Sequence, residues 1–190
     1  VSFLDKLLGT SKPAASKTEG LFAISTAVVT LQVSLHLEPS KAAALAFKSI
    51  EAVRFEEMQR DIDGLLQIRA KDTGSLSKMN AFSDNLGFQW AIIQTDDFED
   101  LVTTIHMVGE ELRSRAYGDR LLSAVFKFSG ESKNVYWMYN YKQGKWYPFV
   151  PSGEGQRDNA YELRLASLMQ GEMPIEKELG YWYPMWGMPV

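Results

Sequence analysis

The sequence predicts an α+β fold, an antiparallel or mixed sheet packed against amphipathic helices. Apolar residues recur at helical spacing over 53–68 and 98–112, and they alternate with period two over 88–93, 122–128 and 135–141. The connections Ser129-Gly130-Glu131-Ser132-Lys133 and Tyr141-Lys142-Gln143-Gly144-Lys145 are too short for parallel crossovers, so the last strands must be antiparallel neighbours.

Taken in order, residues 1–17 read as a short head and a linker, and 18–190 as a single domain ending in an extended aromatic tail. In the head, Phe3, Leu4, Leu7 and Leu8 share one helical side ahead of the polar stretch Thr10-Ser11-Lys12-Pro13-Ala14-Ala15-Ser16-Lys17. That apolar side fits a docked or frayed terminus, or a membrane or partner contact. Residues 21–37 satisfy two periods. Leu21, Ile24, Val28, Leu31 and Leu35 form a helical stripe, whereas Val29, Leu31, Val33, Leu35 and Leu37 alternate as a strand would. Helix is favoured, with Ser25 as a start and Pro39 marking the exit. Residues 42–50 read as a buried strand.

The helix over 53–68 buries Phe55, Met58, Ile62, Leu65 and Leu66, and 71–85 reads as a polar loop. Phe88, Trp90 and Ile92 begin the next strand. Asp96 and Asp97 then place a carboxylate at the start of a helix striped by Phe98, Leu101, Ile105, Val108 and Leu112, which Gly118 can stop. Residues 134–141 and 145–150 form a hairpin, and Asn159 with Glu162 has the spacing of a capping box opening a helix over 159–170, ended by Gly171. Prolines and glycines keep the tail from 173 onward out of regular structure, so it crosses the body in extended form, with Trp182 and Trp186 clamped. Residues 21–68 and 98–170 share a rough outline, the trace of a weak internal pseudo-repeat.

Composition narrows the chemistry. The 190 residues are 45% hydrophobic, enough for one sizeable core. Without cysteine there is no disulfide scaffold, thiolate catalysis or cysteine-ligated metal. Twenty basic against 24 acidic residues give a net charge of −4, which disfavours nucleic acid as a partner. No apolar run is long enough to span a bilayer, and the opening residues are too charge-broken for a signal peptide, so a cytoplasmic location is expected, with the inner face of the membrane as an option.

No constellation of catalytic side chains stands out, and no cofactor or metal is expected. His106 shares a helix face with Glu110, short of a metal site, and His36 ends the first long element. The loop Ser152-Gly153-Glu154-Gly155-Gln156-Arg157 lacks the lysine and hydroxyl of a phosphate loop. The aromatics stand apart. Of 8 Tyr and 5 Trp, only Trp90 precedes Tyr117. Tyr136, Tyr139, Tyr141, Tyr147 and Tyr183, with Lys145, Arg157 and Asp158 at their edges, have the composition of a binding interface. Core packing explains many of the same rings.

The opening Phe3-Leu4-Asp5-Lys6-Leu7-Leu8-Gly9, the block Tyr141-Lys142-Gln143-Gly144-Lys145-Trp146-Tyr147-Pro148-Phe149-Val150-Pro151, and Arg157-Asp158-Asn159 with Glu162-Leu163 recur in order with two further blocks. These are Met173-Pro174-Ile175-Glu176 and Tyr181-Trp182-Tyr183-Pro184-Met185-Trp186-Gly187. Together they resemble the PspA-associated protein PspAB family, linked to the phage-shock, or envelope-stress, response of bacteria and archaea. The resemblance implies association with a PspA-type protein and with membrane-stress proteolysis by HtpX-like enzymes, and it carries no catalytic residues. The expectation is an accessory or adaptor protein acting through protein–protein binding, with weak peripheral membrane contact through the head as an option. The alternative is an enzyme or small-ligand-binding protein with its site near Arg157, Asp158 and the C-terminal tyrosines. The oligomeric state is not readable from the sequence.

Overall fold

A computed structural model describes residues 17–73, 77–84 and 87–190; the expectations for the head at 1–9 and most of its linker lie outside them. Helix wins over 21–37. A 3-10 turn, Glu19–Phe22, runs into α1, Ala23–Leu35, which buries Ile24, Ala27 and Leu31. Ser25 lies inside the helix and caps nothing. His36 ends α1 in the left-handed conformation at φ 52°, its N–H donating to the Leu31 carbonyl.

Strand β1, Glu38–Lys48, starts earlier than expected and is buried from Ala43 to Phe47, a stretch with three alanines. Helix α2, Ala52–Thr73, buries Met58, Ile62 and Leu66, and its Phe55 ring meets Phe47 at 5.9 Å. Leu65, expected on that face, is 40% exposed. The polar loop expected over 71–85 is corrected. It contains β2, Lys78–Ser83, an edge strand paired with β3, Phe88–Gln94. With a single neighbour, an edge strand can carry Lys, Asn and Ser where a central strand carries apolar residues.

Helix α3, Phe98–Ser114, opens on Asp97, whose side chain accepts the Asp100 N–H at 2.8 Å. It buries Leu101, Ile105, Val108 and Leu112. Gly118 does not stop it; Ala116 does, at φ 65°, and Gly118 opens a 3-10 turn, Gly118–Arg120. Strands β4, Leu121–Ser129, β5, Asn134–Asn140, and β6, Lys145–Phe149, follow as a meander. The full order is β2-β3-β1-β4-β5-β6, antiparallel at every pairing. The central neighbours β1 and β4 are each entered from a helix. Past that unit the two stretches differ, since α2 follows β1 directly whereas β4 runs on into β5 and β6.

Side-chain alternation assigns the two faces of β4 to β6. Phe126, Trp137, Tyr139 and Trp146 lie on the helix side, where the Phe98 ring of α3 meets Phe126 at 6.0 Å and Phe128 at 5.6 Å. Tyr136, Met138, Tyr147 and Phe149 lie on the opposite face, which the tail covers. The outer edge of β6 is closed by the chain itself. Trp146 N–H donates to the Pro174 carbonyl at 2.9 Å, and Glu176 N–H to the Trp146 carbonyl at 2.8 Å, a short parallel pairing that leaves no free template there. Among the described residues no helix is long and apolar enough to cross a membrane.

Candidate interaction surface

Where β6 ends, the backbone turns out of the sheet into a small hairpin, β7, Pro151–Gly153, and β8, Gln156–Arg157. This returns the chain to Val150, whose carbonyl accepts the Asp158 N–H at 2.8 Å. Helix α4, Asn159–Met169, begins here. Its cap is Asp158 rather than Asn159, with one carboxylate oxygen accepting the Tyr161 N–H at 3.0 Å and the other bound by Lys133. The Lys133 ammonium holds the Asp158 carboxyl below the usual carboxylate range.

The one-residue shift of the cap frees Glu162 for a different task. It is fully buried, and its Oε1 accepts the Val150 N–H at 2.7 Å. Arg157 Nε donates to both carboxylate oxygens, at 3.0 and 2.8 Å. Burial pushes the Glu162 carboxyl above its ordinary value, against the pull of the Val150 N–H and the guanidinium. Arg157 reaches further. Its Nη1 donates to the Trp182 carbonyl at 2.8 Å, and its guanidinium lies 5.1 Å from the centre of the Phe149 ring. Arg157, Asp158 and Glu162 therefore fasten helix, sheet and tail together.

The tail is fixed along its length. Trp182 is 7% exposed, stacks at 6.1 Å on Tyr147, and donates its indole N–H to the Glu176 carbonyl at 2.9 Å. Tyr147 donates its hydroxyl to the Tyr183 carbonyl at 3.1 Å, and burial pushes that phenol upward. Lys145 lies 3.6 Å from the buried carboxylate of Glu176. Clamping is incomplete at Trp186, expected to be held like Trp182. Its ring meets Phe149 edge-on at 5.0 Å, yet it remains 43% exposed.

The eight residues singled out from the sequence divide by position. Tyr139, Tyr141, Tyr147 and Tyr183 are buried in this chain, and Tyr139 and Tyr141 pack edge-to-face at 5.2 Å beneath the helices. The Tyr139 hydroxyl donates to the Lys17 carbonyl at 3.1 Å, lacing the start of the described chain to the sheet. Tyr136, Lys145, Arg157 and Asp158 remain at the surface. Alternation turns Tyr139 to the helices with Val135 and Trp137, and cover by the tail separates Tyr147, buried under Trp182, from Tyr136 on the same face.

What the structure brings together is a patch around Phe149. That ring is buried, and three partly exposed groups converge on it, namely Tyr136 at 6.2 Å, Trp186 and Arg157. Trp186 and Phe149 were not among the residues chosen from the sequence. The signal existed in the alternation of Trp146-Tyr147-Pro148-Phe149, which sets Tyr147 and Phe149 on one face.

The histidines lie elsewhere. His106 packs against the Phe22 ring at 4.7 Å. His36 lines a cleft of about 290 Å³ with Leu35, Leu37, Ser132, Lys133 and Tyr161, where the ammonium of Lys133 is engaged by Asp158 and faces the Tyr161 ring at 5.3 Å. Among the described residues no three His, Asp or Glu side chains gather as a metal site would require.

These features define a small α+β protein that seals one face of its sheet with its own tail and leaves an aromatic–arginine patch beside the seal. The chain belongs to the PspAB family: a family model described as PspA associated protein B matches residues 1–190. No curated protein and no solved structure matches it.

Proposed function

We propose that this protein is an accessory protein of the membrane-stress, or phage-shock, response that acts by binding a protein partner through the patch of Tyr136, Phe149, Arg157 and Trp186. The convergence of two partly exposed aromatic rings and a guanidinium on one buried ring carries this reading. Tyr, Trp and Arg dominate binding energy at protein interfaces because they combine large apolar area with a polar handle and lose little entropy on docking. Phe149 backs the patch from below, so a partner meets preformed side chains. The family description, PspA associated, makes a PspA-type protein the first partner to test; an HtpX-like protease, implied by the resemblance alone, is the second.

Asp158 adjoins Arg157 with its carboxylate bound by Lys133, and Lys145 lies at the opposite end of β6 beside Glu176. The groups nearest to catalytic types, Arg157, Asp158 and Glu162, are engaged with Trp182, Tyr161 and Val150, which favours binding over turnover. The test is capture of the PspA-type protein from membrane-stressed cells by wild type, Trp186→Ala and Tyr136→Ala. Each variant should reduce capture at least about tenfold, the loss expected of an interface hot spot. Capture equal to wild type by both variants would exclude the patch, and no enrichment by wild type would exclude the partner.

A further inference from the structure

The two edges of the sheet are finished differently. The β6 edge is sealed by residues 174–176, whereas β2 has no strand on its outer side among the described residues. β2 pairs with β3 over all six of its residues without a register shift, and it contains no proline, so the usual guards of an exposed edge are missing. The hydrogen bonds fix which backbone groups point outward. Asp84 N–H donates to the Phe88 carbonyl at 2.9 Å and Thr95 N–H to the Lys41 carbonyl at 3.0 Å, so the even-numbered residues of β2 bond to β3 and the odd-numbered ones do not. Met79, Ala81 and Ser83 therefore aim their N–H and carbonyl groups away from the sheet. We propose that this edge pairs antiparallel with the same edge of a second copy, about a twofold axis at Ala81.

Charge and symmetry select both the occupant and the register. Bonded and open pairs alternate along an antiparallel ladder, so two identical strands related by a twofold axis must centre on one residue. Centred on Ala81, the Ala81 N–H and carbonyl meet those of the second copy, and Met79 exchanges both bonds with Ser83 of that copy. The same register sets Lys78 opposite Asp84 at each end, in the open pairs where side chains approach most closely. Lys78 and Asp84 are the only charged residues from 77 to 84, and they lie three residues either side of Ala81. Lys78 is exposed, and Asp84 is held in place, with Oδ1 accepting the Phe88 N–H and Oδ2 the Trp90 indole N–H, both at 2.9 Å. Centring on Asn80 instead would set Lys78 opposite Phe82 and lose both ion pairs. A cleft of about 350 Å³ between α2 and the start of β2, lined by Asp63, Leu66, Gln67, Ser77 and Met79, leaves an incoming strand room on the helix side. The pairing makes one continuous sheet of the two copies, and because β5 and β6 lie at the far side from β2, the Phe149 patches end up at its opposite ends.

The chain has no cysteine, so an introduced one is its only thiol. Ala81→Cys places two thiols across the axis at a Cα separation of about 5.5 Å, whereas Ser83→Cys, also exposed on this edge, places them about 14 Å apart. A short bis-maleimide, which spans the first gap and not the second, should link Ala81→Cys chains about tenfold faster or more; equal rates would overturn the register. Sedimentation velocity of the full chain over a concentration series up to about 1 mM should show monomer passing into dimer. Ala81→Pro removes an N–H used at the seam and none used by β3, so it should raise the dissociation constant about tenfold or more while the circular dichroism spectrum is unchanged. Lys78→Glu sets like charges opposite each other twice and should raise it about fivefold or more at low salt, with a smaller effect as salt rises. A wild-type chain that stays monomeric throughout would overturn the pairing, as would a dimer that both substitutions leave intact.

Discussion

Trp182 and Trp186 lie four residues apart in the same tail, and the structure assigns them opposite roles. Trp182 is 7% exposed, stacked on Tyr147 and hydrogen-bonded to Glu176; Trp186 is 43% exposed and touches Phe149 by its edge. Replacing a buried tryptophan by alanine costs about 3–5 kcal/mol, from lost transfer energy and the cavity left behind. For a chain of this size each kcal/mol lowers Tm by about 2–4 °C, so Trp182→Ala should melt about 6–20 °C below wild type. Trp186→Ala gives up one edge-to-face contact worth about 1 kcal/mol and should melt within about 4 °C of wild type, yet lose partner capture. Circular dichroism melts of both variants, with urea titrations to check that the slope is unchanged, provide the comparison. A Trp182→Ala melt within about 2 °C of wild type, or a Trp186→Ala shift as large as that of Trp182→Ala, would refute the division of labour.

The ion pair beneath the tail predicts a pH signature. Arg157→Met keeps an apolar stem over Phe149 but leaves Glu162 buried without its cation, which should cost about 3–5 kcal/mol near neutral pH, whereas Arg157→Met with Glu162→Leu should recover part of that loss. Burial already raises the Glu162 carboxyl, so the folded variant holds a proton that the unfolded chain releases; its stability should be highest at low pH and fall as pH rises through the raised value, as urea titrations across pH would show. Alkali should act in the same sense on the tyrosines. Burial pushes the Tyr139 phenol up to about 12 against about 10 in an unfolded chain, so its contribution is intact below about 10 and lost as pH rises through about 12. Phenolate absorbance attributable to buried rings should therefore appear together with loss of the circular dichroism signal. Finally, Gly144 lies at φ 69° and a Cβ there would meet Lys17 Cβ at 3.0 Å, whereas Gly155 at φ 65° has open space around it. Gly155→Ala should cost about 1–2 kcal/mol of backbone strain, and Gly144→Ala more, the difference in thermal melts reading the contact that ties down the start of the described chain.

Much of the fold is legible because burial imposes periodicity. The stripes of α2 and α3 and the alternation of β4 and β5 each announce a face that must be covered. What escaped is where burial is one-sided or short. β2 is an edge strand with polar residues on its open side, so it reads as a loop. The stop of α3 at Ala116 could not be read either, since a left-handed alanine is held by its surroundings rather than chosen by its own preference. Of the eight candidate interface residues, Tyr139, Tyr141, Tyr147 and Tyr183 are buried, because a tyrosine count carries neither the face each ring takes nor what covers that face. Tyr139 turns to the helices and is buried, whereas Tyr136 and Tyr147 turn to the tail side, where Tyr147 lies under Trp182 and Tyr136 stays half-buried.

The blocks that carry the family resemblance now have physical roles, and those roles bear on where binding occurs. Tyr141 to Pro151 is the last hairpin of the sheet with its exit; Arg157, Asp158 and Glu162 lock that exit to α4; Met173 to Glu176 seal the edge of β6; and Trp182 and Tyr183 cover the face. Each of these four blocks has a task in the fold, so the resemblance there does not by itself mark a site. On the proposed function, binding uses what these tasks leave over. Arg157 spends Nε on Glu162 and Nη1 on Trp182, while its guanidinium carbon lies 5.1 Å from the centre of the Phe149 ring. Trp186 meets the same ring edge-to-face and Tyr136 meets it tilted, and both keep part of their surface in water. A patch held from beneath by the tail clamp is rigid before any partner arrives, and a rigid patch loses little entropy on binding. Loosening the clamp should therefore weaken binding even where no contact residue is changed. This couples the stability of the tail to capture of the partner, and Trp182→Ala should reduce capture at temperatures where the rest of the sheet remains folded.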